Sequence, residues 1–178
     1  NVQGACDLGA LPNVYSGYQK VTDPDIKKKF EEKWKVALDD KVGLSVVEMM
    51  NEAHKGNVKA MYIMGENPMV SDPNLNHVEE ALKNLDFLVV QDIFLTETAQ
   101  LADVVFPAYS SFEKSGTFTN TERRIQLLNP VLKAPEGAKE DWEIVQELAR
   151  RIGYEMHYDN QSDIMEEIAD VTPIYGGI

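Results

Sequence analysis

Basic residues are scarce in this chain, which sets 17 Lys and Arg against 30 Asp and Glu for a formal net charge of -13. So acidic a balance argues against nucleic acid or an anionic membrane surface as the main partner, since both are held by excess Lys and Arg. Cysteine is scarcer still. Cys6 stands alone, which excludes an internal disulfide and any multi-cysteine metal or iron–sulfur site built from this chain. The apolar runs are short, far below the roughly 20 residues of a membrane helix, so direct membrane insertion is not expected. No basic leader with an apolar core opens the sequence, and a cytoplasmic location is the expectation. Two glycine fingerprints are also missing, the G-x-G-x-x-G of dinucleotide folds and the G-x-x-x-x-G-K-[ST] phosphate loop. His54, His77 and His157 have no ligand spacing and read as surface or packing residues. The carboxylates are scattered, and no pair has a reason to act as acid and base. Cys6 has no base near it in sequence and reads as a small buried thiol.

What is present points to a cradle. Val58-Lys59-Ala60-Met61-Tyr62-Ile63-Met64 is a nearly unbroken apolar run that stops at Gly65-Glu66-Asn67-Pro68. A buried parallel strand ends in a ligand-facing loop in this way. Phe87-Leu88-Val89-Val90-Gln91-Asp92 repeats the design, and two parallel strands ending side by side in polar loops make the crevice where open α/β sheets hold nucleotide-like ligands. Gly65 lets a backbone N–H face an anion, Asn67 both donates and accepts, and Pro68 starts the next turn. Asp92 is placed to bind a ribose hydroxyl or the N–H edge of guanine, or else to cap the next helix.

Helical stripes alternate with these strands. Asp23-Pro24 opens a helix with Ile26, Phe30, Trp34 and Ala37 on one face and Lys27-Lys28-Lys29 in solvent. A second helix is expected over 44–54, with Leu44, Val47 and Met50 inward and Gly56 as its stop. Asp72-Pro73 is expected to open a third, carrying Leu75, Val78, Leu82 and Leu85. A short helix at 96–101 and a strand at 103–107 come next. The fold class expected is α/β, a doubly wound, Rossmann-like, mostly parallel sheet with helices on both faces. The alternation breaks at Ala108. Residues 110–139 show no helical period, carry two β-like pieces at 117–119 and 125–128, and read as an irregular hairpin excursion. A helix from Asp141 with Val145, Leu148, Ala149 and Ile152 on one face, and another over 162–170, complete one α/β domain over 1–178. Residues 1–12 read as an irregular, glycine-punctuated stretch allowing close backbone approach. Both ends look like cuts through something longer.

Taken in order, several segments resemble one family. They are Asn-Val-Gln-Gly-Ala-Cys-Asp-Leu-Gly-Ala-Leu-Pro at 1–12, Ile-Met-Gly-Glu-Asn-Pro at 63–68 and Val-Gln-Asp-Ile-Phe-Leu-Thr-Glu-Thr-Ala at 90–99. Ala-Asp-Val-Val-Phe-Pro at 102–107, Gly-Thr-Phe-Thr-Asn-Thr-Glu-Arg-Arg-Ile-Gln at 116–126 and Gly-Tyr-Glu-Met-His-Tyr at 153–158 continue the series. The ordered set is similar to an internal segment of the molybdopterin-guanine-dinucleotide-dependent oxidoreductases, and within them to the catalytic (alpha) subunits of formate dehydrogenases.

The resemblance implies roles. Gly65, Glu66, Asn67 and Ser71 match the loop lying against the guanine dinucleotide end of one pterin cofactor, Gln91 and Asp92 the strand-end pair on the same nucleotide, and Asp141 an acid reaching it from the later helix. Ala108 departs from the pattern, where a hydroxyl residue is common. Arg123 and Arg124 match the basic end of a motif packing near an N-terminal iron–sulfur portion; read from the residues alone, they close a hairpin with an Arg–Glu pair. The implied cofactor is molybdopterin guanine dinucleotide with Mo or W, and an iron–sulfur cluster would belong to other parts of the parent. Implied partners are the remaining domains of the polypeptide and electron-transfer subunits. The family's cluster cysteines and metal-ligating cysteine or selenocysteine have no match here, and Cys6 is not at the ligand position. The parent would interconvert formate and CO2, with this segment binding cofactor and carrying no catalytic residue. The competing reading is a free-standing nucleotide-binding or regulatory α/β domain without a redox role.

Overall fold

Val89 and Val90 lie in the middle strand of a three-stranded parallel sheet, flanked by the strands on either side of it in sequence. The computed structural model describes residues 2–177. In chain order its elements are α1 (Val2–Asp7), β1 (Val14–Tyr15), β2 (Gln19–Lys20), α2 (Pro24–Trp34), α3 (Val46–His54), β3 (Ala60–Met64), α4 (Pro68–Ser71), α5 (Leu75–Lys83), β4 (Phe87–Asp92), β5 (Val104–Pro107), β6 (Gly116–Thr119), β7 (Ile125–Leu128), α6 (Asp141–Arg151) and α7 (Gln161–Val171). They fall into two compact units. One gathers residues 1–45, 115–128 and 157–178, the other residues 46–114 and 129–156.

The second unit carries the parallel sheet, ordered β3-β4-β5, with Tyr62 level with Val89 and Val90 level with Val105. Alternation sends Leu88 and Val90 to one face, where they are buried with Ile63 under Met50 and Ala53 of α3 and Val78, Ala81 and Leu82 of α5. Each of the larger side chains here, Val, Leu, Ile or Met, contributes about 1.5–3 kcal/mol when fully withdrawn from water. On the opposite face lie Val89 and Gln91, and there α6 reaches the sheet through Asp141. The α/β class with a parallel sheet and helices against it is thus the observed architecture. Lys139 pairs with Ala108 as a single parallel bridge beyond the end of β5.

Several boundaries differ from expectation, each for a local reason. Backbone N–H groups of Asn57 and Val58 bond to Glu52 O, so these residues finish α3 and β3 starts only at Ala60. Helix α3 begins at Val46 and buries Met50 and Ala53, leaving Leu44 and Val47 exposed. Asn74, not Asp72, opens α5; its Oδ1 accepts from His77 N at 3.3 Å. The expected short helix near residue 96 is a 3-10 turn over Ala99–Leu101. In α6 the buried positions are Ile144, Gln146 and Ala149, while Val145 and Ile152 face out. Ala149 is buried as expected and Leu148 partly so, while Ile144 takes the place of Val145 and Ile152 lies just past the end of the helix.

The first unit is held by aromatic stacking and buried polar pairs. Phe30 of α2 is fully buried, its ring 4.4 Å from Tyr15 and 4.9 Å from Trp34. Helix α2 starts as expected, with Asp23 Oδ1 accepting from Asp25 N and Ile26 N. It ends at Lys35, whose φ of 56° turns the chain left-handed, so Ala37 lies beyond the helix. Residues 2–7 form a helix rather than an irregular stretch. Close approach does occur there. A Cβ on Gly4 would sit 3.2 Å from Thr119 Oγ1, and one on Gly9 (φ 95°) only 2.7 Å from Ser16 N. Cys6 is half-buried, not enclosed. The two β-like pieces of 110–139 do form an antiparallel hairpin, β6–β7, with Phe118 opposite Gln126. Arg123 at its turn has a φ of 62° and pairs with Asp7 at 2.8 Å, not with a glutamate.

Candidate cofactor-binding site

The three parallel strands end together, and their C-terminal loops bring most of the singled-out residues to one edge. At the end of β3 the chain turns at Gly65 (φ 66°), whose N–H bonds to Gln91 O at 2.9 Å. A side chain there would meet nothing within 4 Å; the glycine is required by its backbone angle, and the space above it is open. Glu66 and Ser71 are exposed, and Ser71 N bonds to Asn67 O at 3.0 Å. Asn67 has both ends of its carboxamide hydrogen-bonded within the protein: Oδ1 accepts from Thr98 Oγ1 (2.7 Å) and Thr98 N (3.2 Å), and Nδ2 donates one N–H to Glu97 Oε2 (2.8 Å) at the surface. Thr98 is wholly buried and its Oγ1 accepts from Met69 N at 3.2 Å. Asn67 therefore ties the loop after β3 to the segment after β4. The bond from Asn67 holds the Glu97 carboxyl below its usual range, with help from its own backbone N–H.

Asp92 ends β4. Its Oδ1 accepts from Ile93 N (2.7 Å) and Phe94 N (3.2 Å), so part of the capping reading is realised on a turn rather than a helix. Its other oxygen takes no hydrogen bond among the described residues. Ile93, Phe94 and Leu95 come next as three consecutive exposed apolar side chains.

Gln91 is the centre of the arrangement. It is fully buried, and a carboxamide so placed must find both a donor and an acceptor. Its Oε1 accepts from Tyr62 OH, and its Nε2 donates to Asp141 Oδ1 at 2.7 Å. The other oxygen of Asp141 accepts from Lys114 Nζ. The polarity of this chain is self-consistent: an ionised Asp141 can only accept, so Gln91 must present its NH2 to it and its carbonyl to Tyr62. Burial first, and then the Asp141 charge, raises the Tyr62 hydroxyl above its ordinary titration range and keeps it a donor. Helix α6 begins at Asp141 through the bond from Glu140 N to Glu143 Oε2, 3.1 Å.

Sequence reasoning named Gly65, Glu66, Asn67, Ser71, Gln91, Asp92 and Asp141, and all seven lie in the second unit. It missed Tyr62, Glu97, Thr98 and Lys114. Lys114 had a readable signal, as the sole Lys or Arg in the three strand-end segments 65–74, 93–99 and 108–114. Thr98 had none, since its value lies in burial. His54 and His77, read as separate, stand with ring centres 4.6 Å apart. Among the described residues no group of His, Cys, Asp and Glu is arranged to hold a metal ion, and no helix is long and apolar enough to cross a membrane. Besides this edge, a cavity of about 380 Å³ lies between β5 and α6, lined by Phe106, Pro107, Ile144, Leu148 and the charged Lys139, Glu147 and Arg151.

Comparison with known proteins supplies the wider setting. A model of the molybdopterin oxidoreductase family matches residues 1–151. The F420-dependent formate dehydrogenase subunit alpha of Methanocaldococcus jannaschii is 59% identical over 100% of this chain, which spans 26% of that protein. A putative formate dehydrogenase of Bacillus subtilis, YrhE, is 51% identical over 98% of this chain and 18% of its own length. Among solved structures, acetylene hydratase from Pelobacter acetylenicus superposes with a TM-score of 0.63 over 82% of this chain and 22% of its own, at 23% identity, a likeness of fold.

Proposed function

This chain belongs to the molybdopterin oxidoreductase family, and from that premise we propose that it is the segment of a formate dehydrogenase alpha subunit that holds the guanine dinucleotide end of a pterin cofactor. Residues 1–178 act in this reading as one cofactor-binding region of a longer cytoplasmic polypeptide, with 110–139 an excursion toward another domain of the parent. The observation that carries it is the meeting of Gly65, Gln91, Asp92 and Asp141 at the C-terminal edge of one parallel sheet, the place where open α/β folds take nucleotides.

The residues fit such a group. Open space lies over Gly65, where backbone can approach a ligand without a Cβ in the way. The free oxygen of Asp92 can accept from a guanine N–H or a ribose hydroxyl. The proposed site comprises Gly65, Glu66, Asn67, Ser71, Gln91, Asp92 and Asp141, with the labour divided. Gly65, Glu66, Ser71 and Asp92 would contact the ligand; Asn67 and Gln91, hydrogen-bonded within the protein through both ends of their carboxamides, fix the two loops and the start of α6. When bound, molybdopterin guanine dinucleotide with Mo or W supplies two-electron chemistry, formate oxidation to CO2 in the parent. This chain binds and orients; it contributes no group to the reacting atoms. An iron–sulfur cluster, the metal ligand and electron-transfer subunits belong to the rest of the assembly.

The test is Asp92→Ala in the full-length enzyme. Loss of a charge-assisted hydrogen bond costs about 1.5–3 kcal/mol, roughly ten- to a hundredfold in affinity. The purified variant is expected to carry less pterin and metal per polypeptide with unchanged substrate preference. Full pterin and metal content would reduce Asp92 to a turn-capping residue and refute its place in the site.

A further inference from the structure

Resting on that reading, we infer that Lys114 is the cation that receives the pyrophosphate of the dinucleotide, and that Asp141 acts on the cofactor by positioning Lys114. The inference starts from charge. A dinucleotide brings a pyrophosphate, yet the strand-end segments 65–74, 93–99 and 108–114 carry Glu66, Asp72, Glu97 and Glu113 against a single base, Lys114, with Asp92 at the edge itself. An anion arriving at this edge finds one ammonium among the side chains of those loops.

That ammonium is held in place. Both Asp141 oxygens are committed, Oδ1 to Gln91 Nε2 at 2.7 Å and Oδ2 to Lys114 Nζ. Gln91 is in turn fully buried and fixed by Tyr62 OH. Each Asp141 oxygen thus accepts one hydrogen bond from the protein, and the two together fix its orientation. A lysine ammonium has three N–H donors, and Asp141 is the partner of Lys114 among the described residues, which leaves donors for a phosphate oxygen. Lys114 keeps 21% of its side-chain surface exposed, enough for a ligand to reach it and too little for free movement. The Tyr62–Gln91–Asp141 chain thus orients a cation that would otherwise sample many rotamers. Orienting it in advance lowers the entropic cost of binding an anion.

The experiment uses the full-length, cofactor-loaded parent enzyme as wild type, Lys114→Gln, Lys114→Arg, Asp141→Asn, Asp92→Asn and the double variant Lys114→Gln/Asp141→Asn. The measurement is the rate at which guanine nucleotide and pterin leave the protein on dialysis at low and high salt. Lys114→Gln is expected to lose cofactor about tenfold faster at low salt and to lack the acceleration by salt expected of wild type. Lys114→Arg restores retention, and Asp141→Asn, which keeps the cation but loosens it, falls between. The double variant separates the two roles of the lysine. If Lys114 serves only to neutralise Asp141, removing both charges returns retention to the wild-type rate and overturns the proposal; if it holds phosphate, the double variant is as leaky as Lys114→Gln. Leakage from Asp92→Asn alone, with Lys114→Gln tight, overturns the lysine assignment and leaves the cofactor reading standing. Wild-type retention in every variant overturns both. Should Lys114→Gln fail to accumulate, Lys114→Met keeps the packing of the stem and is read the same way.

Discussion

Gln91→Glu replaces one buried atom group by another of the same shape, and so isolates the polarity of the Tyr62–Gln91–Asp141 chain. In the wild type the carboxamide donates to Asp141 Oδ1 at 2.7 Å from a fully buried site. A carboxylate at that position would face a carboxylate, and a bare repulsion at such range is avoided by taking up a proton. Holding a glutamate protonated from its ordinary value near 4.3 up to pH 7 costs about 1.36 kcal/mol per pH unit, roughly 3.7 kcal/mol in all. The ammonium of Lys114 beside Asp141 relieves part of this, so about 2–3 kcal/mol is the expected loss at pH 7. The sign is fixed by the direction of the shift. The introduced group has its folded pKa raised above the unfolded value, so the variant matches wild type below about pH 4 and falls behind as pH rises toward 7. Native-state hydrogen exchange on the amides of Phe87–Asp92 in the two proteins reads this directly as a change in opening free energy. Gln91→Leu serves as control: it also loses the bonds but introduces no titrating group, and its deficit should not vary between pH 4 and 7. Equal protection of Gln91→Glu and wild type at pH 7 would refute the polarity argued for the chain.

Other outcomes are expected from the same structure. Asp7 is 3% exposed; burial pushes its carboxyl upward, but the hydrogen bonds from Tyr18, Arg123 and Gln3 outweigh it and hold it below the usual range. Its stabilisation is therefore present above about pH 4 and fades at lower pH, and because the Arg123 side chain is 55% exposed and regains water, Asp7→Asn should cost about 1.5–3 kcal/mol by urea denaturation at pH 7. Glu147 is pulled to about 2 by its bonds from Lys139 and Arg151, so its carboxyl NMR signal should titrate near there and return toward the ordinary glutamate range in Lys139→Met/Arg151→Met. In hydrogen exchange, residues 129–139, where Val131 and Leu132 are 74% and 59% exposed, should open at far lower cost than Ala60–Met64; equal protection would show that the excursion is integral to its unit.

What could be read in advance was whatever burial makes periodic. Phe87–Asp92 was bounded correctly because all its interior is apolar and its end is marked by two polar residues. The Asp23-Pro24 start of α2 was legible because capping chemistry is local. Errors came where a backbone group found a partner that no periodicity announces. Glu52 O takes the N–H groups of Asn57 and Val58 and delays β3, and Asn74 displaces Asp72 as the cap of α5. In α6 the apolar positions offered two overlapping stripes, Ile144–Ala149 and Val145–Ile152. Only the tertiary environment chooses between them, burying Ile144 and leaving Ile152 76% exposed.

The site divides along the same line. Gly65, Gln91 and Asp92 were readable because each ends or succeeds an apolar strand, where a polar residue needs a reason. The links between Tyr62, Gln91, Asp141 and Lys114 were not, because each joins residues 27 to 50 positions apart through side-chain geometry alone, the widest being Gln91 to Asp141. Such a chain is also where one substitution has effects beyond its own contacts. Removing Gln91 frees Asp141, and a freed Asp141 no longer orients Lys114, so a change at a residue with no solvent exposure is carried to a cation at the sheet edge. Only a full double-mutant cycle can divide the energy among them. The coupling between Gln91→Leu and Lys114→Gln in cofactor retention should be non-zero although no hydrogen bond joins the two side chains.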